Sequence, residues 1–591
     1  MAPQLDHFGS RFMARGTIVP GEAAAGDHLQ AEYHLWLVGD QLSHADAPWR
    51  DPYTFRPESP PRWNFGGWPF GLPFWPLDAL FGHVRAWNLF LLLSYLAAGG
   101  FTYLWLRELS LPVAASALGG FVFALEPYRV AQSAGHLRGP ISTLLPLSLW
   151  ALERGRHGSP WWYAGAAAAL ASIPFSDVHL ALAAIPFFLL YALCRRAWVG
   201  ALTVVPAAAA GLLVGHFSTS GIGAGGRSLR EVAHYSATGL DFVTRHPRHG
   251  LESFVFLGWF VPLLALVGLV LLVLARRWWL VAVLALGALV PILLALGTHF
   301  PLYSTLWHHF APLRYPRVPE RLMPVACLCL AALVAFAAAR LRWILVAVLI
   351  VLVAADLRVS IYDAAAASKG TGAYKGLTAP GRLLELPVLH PNVQLGSVYL
   401  WYDQFARRER PGGYSTIAPD AAARLSLRLA ELNCGDWRPG DDALLRRLGV
   451  RYLAFHRGLA GKTGWFAWRE LLRHGFGQVK REDGVTMTER GRSGGTSPVP
   501  EPTRRVVFCE GWNGVSPRYS HAAFWARGPI LLQLSTRKPV RTVVTVDRKP
   551  VQTQRVTSPT VVRVGSSGWH LVGIDAASAA NGLRVLVRPA G

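Results

Sequence analysis

Ten apolar runs occupy most of the chain between residues 86 and 355, at 86–106, 111–126, 140–152, 160–175, 178–194, 197–215, 253–274, 278–297, 321–339 and 343–355. About 20 helical residues cross the hydrocarbon layer of a bilayer, and a row of such segments has no place in a water-soluble core. Of the 591 residues 52% are hydrophobic and only 16% charged, more apolar surface than one soluble core can absorb. The runs therefore predict an α-helical polytopic membrane domain over residues 86–358 with about ten spans.

The net charge of +23 would suggest a nucleic-acid partner in a soluble protein. Here the basic residues are mostly arginines spread through loops, with no nucleic-acid-binding module among them, so no nucleic acid is expected. RELS (107–110), ERGRHGS (153–159), RR (195–196), ARR (275–277) and ARLR (339–342) all carry arginine and fall at every second turn of the chain. Basic loops stay on the cytoplasmic side, which sends residues 1–85, the turns near 127–139 and 176, the connections 216–252 and 298–320, and everything after about 357 outside. The expectation is a multi-pass protein of the cytoplasmic (inner) membrane with extracytoplasmic C-terminal domains. A polar segment at residues 1–85 would then cross the membrane with nothing apolar ahead of it, so a preceding span is expected to be missing.

From Arg382 short β-like runs (LLELPV, SVYLWY, RYLAFH) alternate with helical ones (DAAARLSLRLAELN, DDALLRRLG), predicting a small α/β domain over 359–490. GRSGGTSPVPEPT, 491–503, reads as a linker. Closely spaced short strands then predict a β-sandwich over 504–591, where Trp512 or Trp569 either offers a sugar platform or is buried in a spacer. Cys194, Cys327 and Cys329 lie in or beside spans; Cys434 and Cys509 fall outside, as a bridge or as two isolated thiols.

An external site has no supply of nucleotide sugars, so an activated donor would arrive attached to a lipid. GIGAGG, 221–226, lacks the strand-to-helix setting of a nucleotide loop and reads as an ordinary loop. Sugar transfer from a lipid phosphate needs a base for the acceptor hydroxyl and cations for the leaving phosphate, which departs without a general acid. Residues 28–45 predict an amphipathic helix along the membrane surface, with Leu29, Tyr33, Trp36 and Leu37 on one side. Asp27, at its start, is either that base or a helix cap worth about 1 kcal/mol. Glu32 and His34 are further candidates or a solvated face, while Asp40, Asp46 and Asp51 read as turn and surface residues.

Arg314, Arg317 and Arg321 in RYPRVPER are stiffened by two prolines just outside a span, fit either to grip a phosphate through two parallel N–H groups or to anchor lipid headgroups. YRVAQSAGHLRG adds Arg129, His136 and Arg138 on the same face, with Glu126 just before it, and SIPFSDVHL places Asp177 and His179 at another outer turn. His308 and His309 lack ligand spacing, and no metal or other cofactor is expected.

AWNLFLLLSYLAAGGFTYLWLREL, GGFVFALEPYRVAQSAGHLRGPISTLLPLSLWALER and RVPER together resemble the GT-C glycosyltransferase superfamily of multispanning bacterial membrane proteins, particularly its YfhO-like branches. The likeness covers most of residues 26–460, including the soluble run from RLLELPVLHP to LLRRLGVRYLAFH. It implies a catalytic Asp in the first external loop and a polyprenyl-phosphate sugar as donor, and Asp27 in GDHLQAEYHLW is the position it indicates. The chain departs from the pattern in lacking the first span and in carrying Glu126 where the related PYR segment commonly has a small residue. The expected function is glycosyl transfer from the polyprenyl-phosphate carrier to an extracytoplasmic glycan or lipid, among membrane lipids. The alternative is a non-enzymatic transporter or assembly factor for lipid-linked or cell-wall glycans. Ionisable groups gather at the outer ends of the spans rather than deep within them, which favours surface chemistry.

Overall fold

A computed structural model describes residues 6–218, 226–248, 250–363, 365–366, 371–375, 377–518, 520–556, 559–576 and 582–590; all of GIGAGG except its last glycine lies outside them. The chain forms two compact units. One comprises residues 1–18, 24–51 and 61–367; the other comprises 368–591 together with Val19–Ala23 and Pro52–Pro60.

In the first unit every apolar run becomes a helix: His83–Glu108, Val113–Leu125, Leu144–His157, Trp161–Ser176, Val178–Cys194, Val204–Ser218, Phe260–Leu274, Trp278–Ala295, Met323–Ala338 and Trp343–Asp356. Among the described residues four segments are long and apolar enough to cross a membrane: His83–Glu108, Trp198–Phe217, Trp278–Ala295 and Pro319–Ala338. Val113–Leu125, Val178–Cys194, Phe260–Leu274 and Trp343–Asp356 are apolar but shorter, so each expected run is helical while the length of a full span is reached by only four segments among the described residues. On Phe260–Leu274 the side chains of Leu263, Leu266, Val267, Val270 and Leu274 all face outward. Such a stripe at helical spacing would be costly in water and suits lipid.

Met323–Ala338 is the opposite case, with 15 of its 16 residues buried. It packs against Val113–Leu125, Phe260–Leu274 and Trp278–Ala295. A Cβ added to Gly268 would lie 1.9 Å from the Leu333 carbonyl oxygen, so the two backbones touch there and only glycine fits.

The expected surface helix at 28–45 is observed as Asp27–Ser43, and 12 of its 17 residues are buried. Leu35, Leu37 and Val38 carry apolar surface around the helix, and Gly71–Phe81 closes over it; a Cβ on Gly39 would meet the Trp75 ring at 2.4 Å. Glu32, Asp40 and Asp51, read as surface residues, are buried as well, with the Tyr33 hydroxyl donating to Asp51 Oδ1 at 2.9 Å.

In the second unit Arg382–Leu386 and Val450–His456 pair in parallel, and Val485–Arg490 and Phe476–Glu482 extend the sheet antiparallel. Asp420–Leu429, Asp441–Arg447 and Gly464–Arg473 are helices as their periodicity predicts, and Leu384, Leu453, Phe455, Trp437 and Trp468 share one core. SVYLWY, expected as a strand, lies in the helix Ser397–Ala406. It is apolar and buried on nearly every side, and a short run of that kind lacks a period that separates strand from helix. In the last segment six antiparallel strands join one hydrogen-bonded sheet, beside a two-stranded ladder of Trp512–Asn513 with Ser516–Pro517. The runs expected as separate strands fuse into His521–Ser535 and Thr560–Ala576, whose register shifts between Gly528 and Ile530.

Cys434 and Cys509 form a disulfide that ties this sheet to the α/β part, with Cα atoms 5.5 Å apart across 75 residues of chain. Closing such a loop stabilises the folded chain by about 4 kcal/mol in the chain-entropy account. Denatured without reductant, the protein should present the three thiols of Cys194, Cys327 and Cys329 to an alkylating reagent. A count of five would refute the bridge.

Candidate active site

Asp27 is the first residue of its helix and Gly26 holds the N-cap, so the cap role considered for Asp27 belongs to its neighbour. Gly26 has no room for a side chain, since a Cβ there would stand 2.8 Å from the Arg15 carbonyl oxygen and 2.7 Å from His28 Nδ1. Across from it comes the Gly135–Arg138 stretch, where a Cβ on Gly135 would lie 3.8 Å from Asp27 Cβ.

From that point a chain of charged groups runs inward. His136 Nε2 lies 3.7 Å from Asp27 Oδ2 and 3.3 Å from Glu252 Oε1. Glu252 Oε2 is 3.8 Å from Arg138 Nη1 and 3.7 Å from Arg321 Nη2. Arg138 Nε donates to Asp177 Oδ2 at 2.7 Å and its Nη1 to Gln132 Oε1 at 2.9 Å. Asp177 caps the helix Val178–Cys194 by accepting the backbone N–H groups of His179 and Leu180, and its Oδ1 is 3.0 Å from His179 Nδ1. Arg321 Nη1 lies 3.4 Å from that same ring nitrogen.

Exposure grades along the series. The side chains of Asp27, His136 and Glu252 are 20–24% exposed, whereas those of Arg138, Arg321 and Asp177 are 11%, 10% and 3%. The first three therefore form an accessible edge and the others a floor. Burial pushes the Glu252 carboxyl up, but the charges of Arg321, His136 and Arg138 outweigh it and hold the group well below the usual carboxylate range. Asp177 follows the same balance: burial raises it, and Arg138, His179 and Arg321 bring it down further. Both are anions at neutral pH. Arg321 Nε is buried and has no hydrogen-bond partner among the described residues, leaving a donor suited to an anionic oxygen.

Of the arginines proposed for phosphate, Arg138 and Arg321 join this network and the other three do something else. Arg129 is buried and donates to the carbonyls of Ala124 and Ser94 and to the hydroxyls of Ser142 and Thr143, so its guanidinium holds the turn together. Glu126 caps the helix Pro127–Ser133 through the backbone N–H of Arg129. Arg314 donates to the carbonyls of Trp307 and His308, fastening the end of Pro301–His309, and Arg317 lies over the Tyr235 ring at 5.0 Å. Glu32 belongs to a separate group with Asp78 and His83, whose Nδ1 is 2.8 Å from Asp78 Oδ1. His34 packs its ring against Tyr33, at 5.7 Å between centroids.

Two carboxylates escaped the sequence reading. Glu252 sits in a long polar connection without any motif, and Glu320 stands inside RYPRVPER, where the arginines draw attention. Glu320 is fully buried and neither of its carboxylate oxygens has a hydrogen-bond partner among the described residues. No metal was expected, yet Asp27, His136 and Glu252 each offer a ligand atom within 4.8 Å of the others, as do Glu32, Asp78 and His83. Two oxygens and one imidazole nitrogen suit a divalent cation.

No protein-family model matches the chain, and no curated protein matches it. Among solved structures it is similar to the arabinofuranosyltransferase AftD from Mycobacteria, at 13% identity and a TM-score of 0.45 over 97% of this chain and 59% of that one. It is similar to the archaeal oligosaccharyltransferase AglB from Archaeoglobus fulgidus, in complex with an inhibitory peptide and a dolichol-phosphate, at 10% identity and a TM-score of 0.42 over 100% of this chain and 96% of that one. A third likeness is to ArnT from Cupriavidus metallidurans bound to undecaprenyl phosphate, at 13% identity and a TM-score of 0.34 over 82% of this chain and 96% of that one. The chain thus spans about three-fifths of the AftD chain.

Proposed function

We propose that the chain is a membrane glycosyltransferase that moves a sugar from a polyprenyl-phosphate carrier to an extracytoplasmic glycan or lipid. The observation that carries this reading is the convergence of Asp27, His136 and Glu252 in front of Arg138 and Arg321. Asp27, on the accessible edge, takes the proton of the acceptor hydroxyl as that oxygen attacks the anomeric carbon. Arg138 and Arg321 stabilise the phosphate that leaves as an anion, and their buried settings strengthen the attraction relative to water. Asp177 and Glu252 hold the two guanidiniums in place. Asp27, His136 and Glu252 also fit a divalent cation, which when bound supplies positive charge toward a phosphate oxygen.

The arginine-bearing short loops support an orientation in which this edge lies on the outer face of the inner membrane, where a lipid-borne donor is the available one. Comparison of lipid-linked and surface glycans in cells with and without the protein tests the reading. Loss should deplete one surface glycan or lipid of a sugar and leave the glycosylated carrier to accumulate. Unchanged carrier and surface glycans would refute it.

A further inference from the structure

The second unit contains a cleft of about 260 Å³ on which the transfer reading does not depend, lined from the α/β part by Arg469, Glu470 and Arg473 and from the sheet by Trp525, Arg548 and Trp569. That volume is just under the roughly 300 Å³ at which ligand pockets begin, a size for a small ligand such as a single sugar ring. Its aromatic wall is rigid. Trp525 stacks on Phe466 with centroids 4.5 Å apart, and Trp569 meets the same ring edge-on at 4.9 Å. Each indole N–H is committed, that of Trp525 to the Cys434 carbonyl and that of Trp569 to Glu501 Oε1, both at 2.7 Å, which sets the plane each ring presents. The disulfide from Cys434 pins the two walls to each other.

The charges are lopsided. Arg469 and Arg473 both lean on one oxygen of Glu470, at 3.3 and 2.7 Å. Arg548 donates to Asp436 at 3.1 Å, and Asp547, the other carboxylate at the cleft, is engaged by His570 at 2.7 Å and by the Leu571 N–H. Burial, and after it the neighbouring Arg473 charge, lower the Arg469 pKa, so an anion placed there would meet a partly desolvated guanidinium. Guanidiniums gathered beside indole faces match a ligand that has both a ring to stack and an anion to place.

We propose that this cleft binds an anionic saccharide, with its ring against Trp569 and its carboxylate or phosphate toward Arg469, Arg473 and Arg548. A neutral sugar would use the indole and leave Arg469 and Arg473 sharing the one Glu470 oxygen; a bare anion would use the arginines and leave the ring idle.

Binding to the full chain in detergent tests this with two acidic probes, tetragalacturonic acid and mannose 6-phosphate, each set against its neutral counterpart, maltotetraose and mannose. At least one acidic probe should bind about 10-fold or more tighter than its counterpart, and which one does so separates a carboxylate from a phosphate ligand. Trp569→Ala and Arg473→Ala should each weaken it by about 10-fold. The Arg473 side chain is 61% exposed, so its removal leaves the fold intact and keeps the test valid even if Trp569→Ala unfolds the sheet. The proposal falls if neither acidic probe exceeds its neutral counterpart, if Arg473→Ala binds like the parent, or if equimolar inorganic phosphate displaces the saccharide completely.

Discussion

Asp27→Asn will leave folding and membrane insertion intact and lower sugar transfer at least about 100-fold, the lower end of what a general base contributes. The change keeps the size of the side chain and does not touch the helix cap, which is Gly26. What disappears is the carboxylate that can take a proton at the accessible edge, 3.7 Å from His136. Turnover measured on protein shown to be inserted, with a polyprenyl-phosphate sugar as donor, reads the effect. Wild-type turnover in that variant would transfer the role to Glu252, the other carboxylate at the edge. Glu126 is engaged as a cap, Asp177 is bound to Arg138, and Glu32 belongs to its own cluster.

Asp177→Asn will act on stability more than on chemistry. Its carboxylate is the closest counter-charge of Arg138 in a nearly dry setting, and removing one member of a buried ion pair costs about 3–5 kcal/mol because the other stays behind uncompensated. The midpoint of thermal unfolding in detergent should fall, and the Asp177→Asn, Arg138→Gln double variant should recover part of the loss. A single variant as stable as the parent would mean that the pair contributes nothing to the fold. The pH dependence has a definite sign. Asp177 and Glu252 have folded-state pKa values below their unfolded ones, so the stability they provide is complete above about pH 5 and is lost as the pH falls further toward the folded values. These two groups therefore produce no slope between pH 6 and 8, and the acid-side loss shrinks in Asp177→Asn.

The helices were legible because hydropathy is written locally: each apolar run carries its own reason to be helical in a bilayer. Much of the charged network was legible for the same reason, since an ionisable residue beside an apolar run stands out, and His136, Arg138, Asp177, His179 and Arg321 all occupy such positions, while Asp27 opens an amphipathic helix. Which of them meet is not local information. Arg129 and Arg138 share one short segment, yet one guanidinium is spent on carbonyls and hydroxyls while the other faces the network; only the path of the backbone decides that. Glu252 was invisible because a lone glutamate in a polar loop resembles any solvated residue until the loop is folded back. The helix at Ser397–Ala406 was missed because burial on all sides erases periodicity, and the two longest strands because a Gly-Pro pair interrupts His521–Ser535 and glycines and serines interrupt Thr560–Ala576 in sequence.

Arg321 stands on the first turn of Pro319–Ala338, a rod enclosed on nearly every side and touched backbone to backbone at Gly268. A cation on so stiff a mount has already surrendered much of its conformational freedom during folding, so under the proposed transfer reading an incoming phosphate would meet a donor that needs little ordering, and little of the binding energy would go into rotamer entropy. The same rigidity runs the other way: the far end of the rod lies about 24 Å from the guanidinium at 1.5 Å per residue, which makes the placement of this charge a property of the whole helix bundle rather than of the outer loops alone.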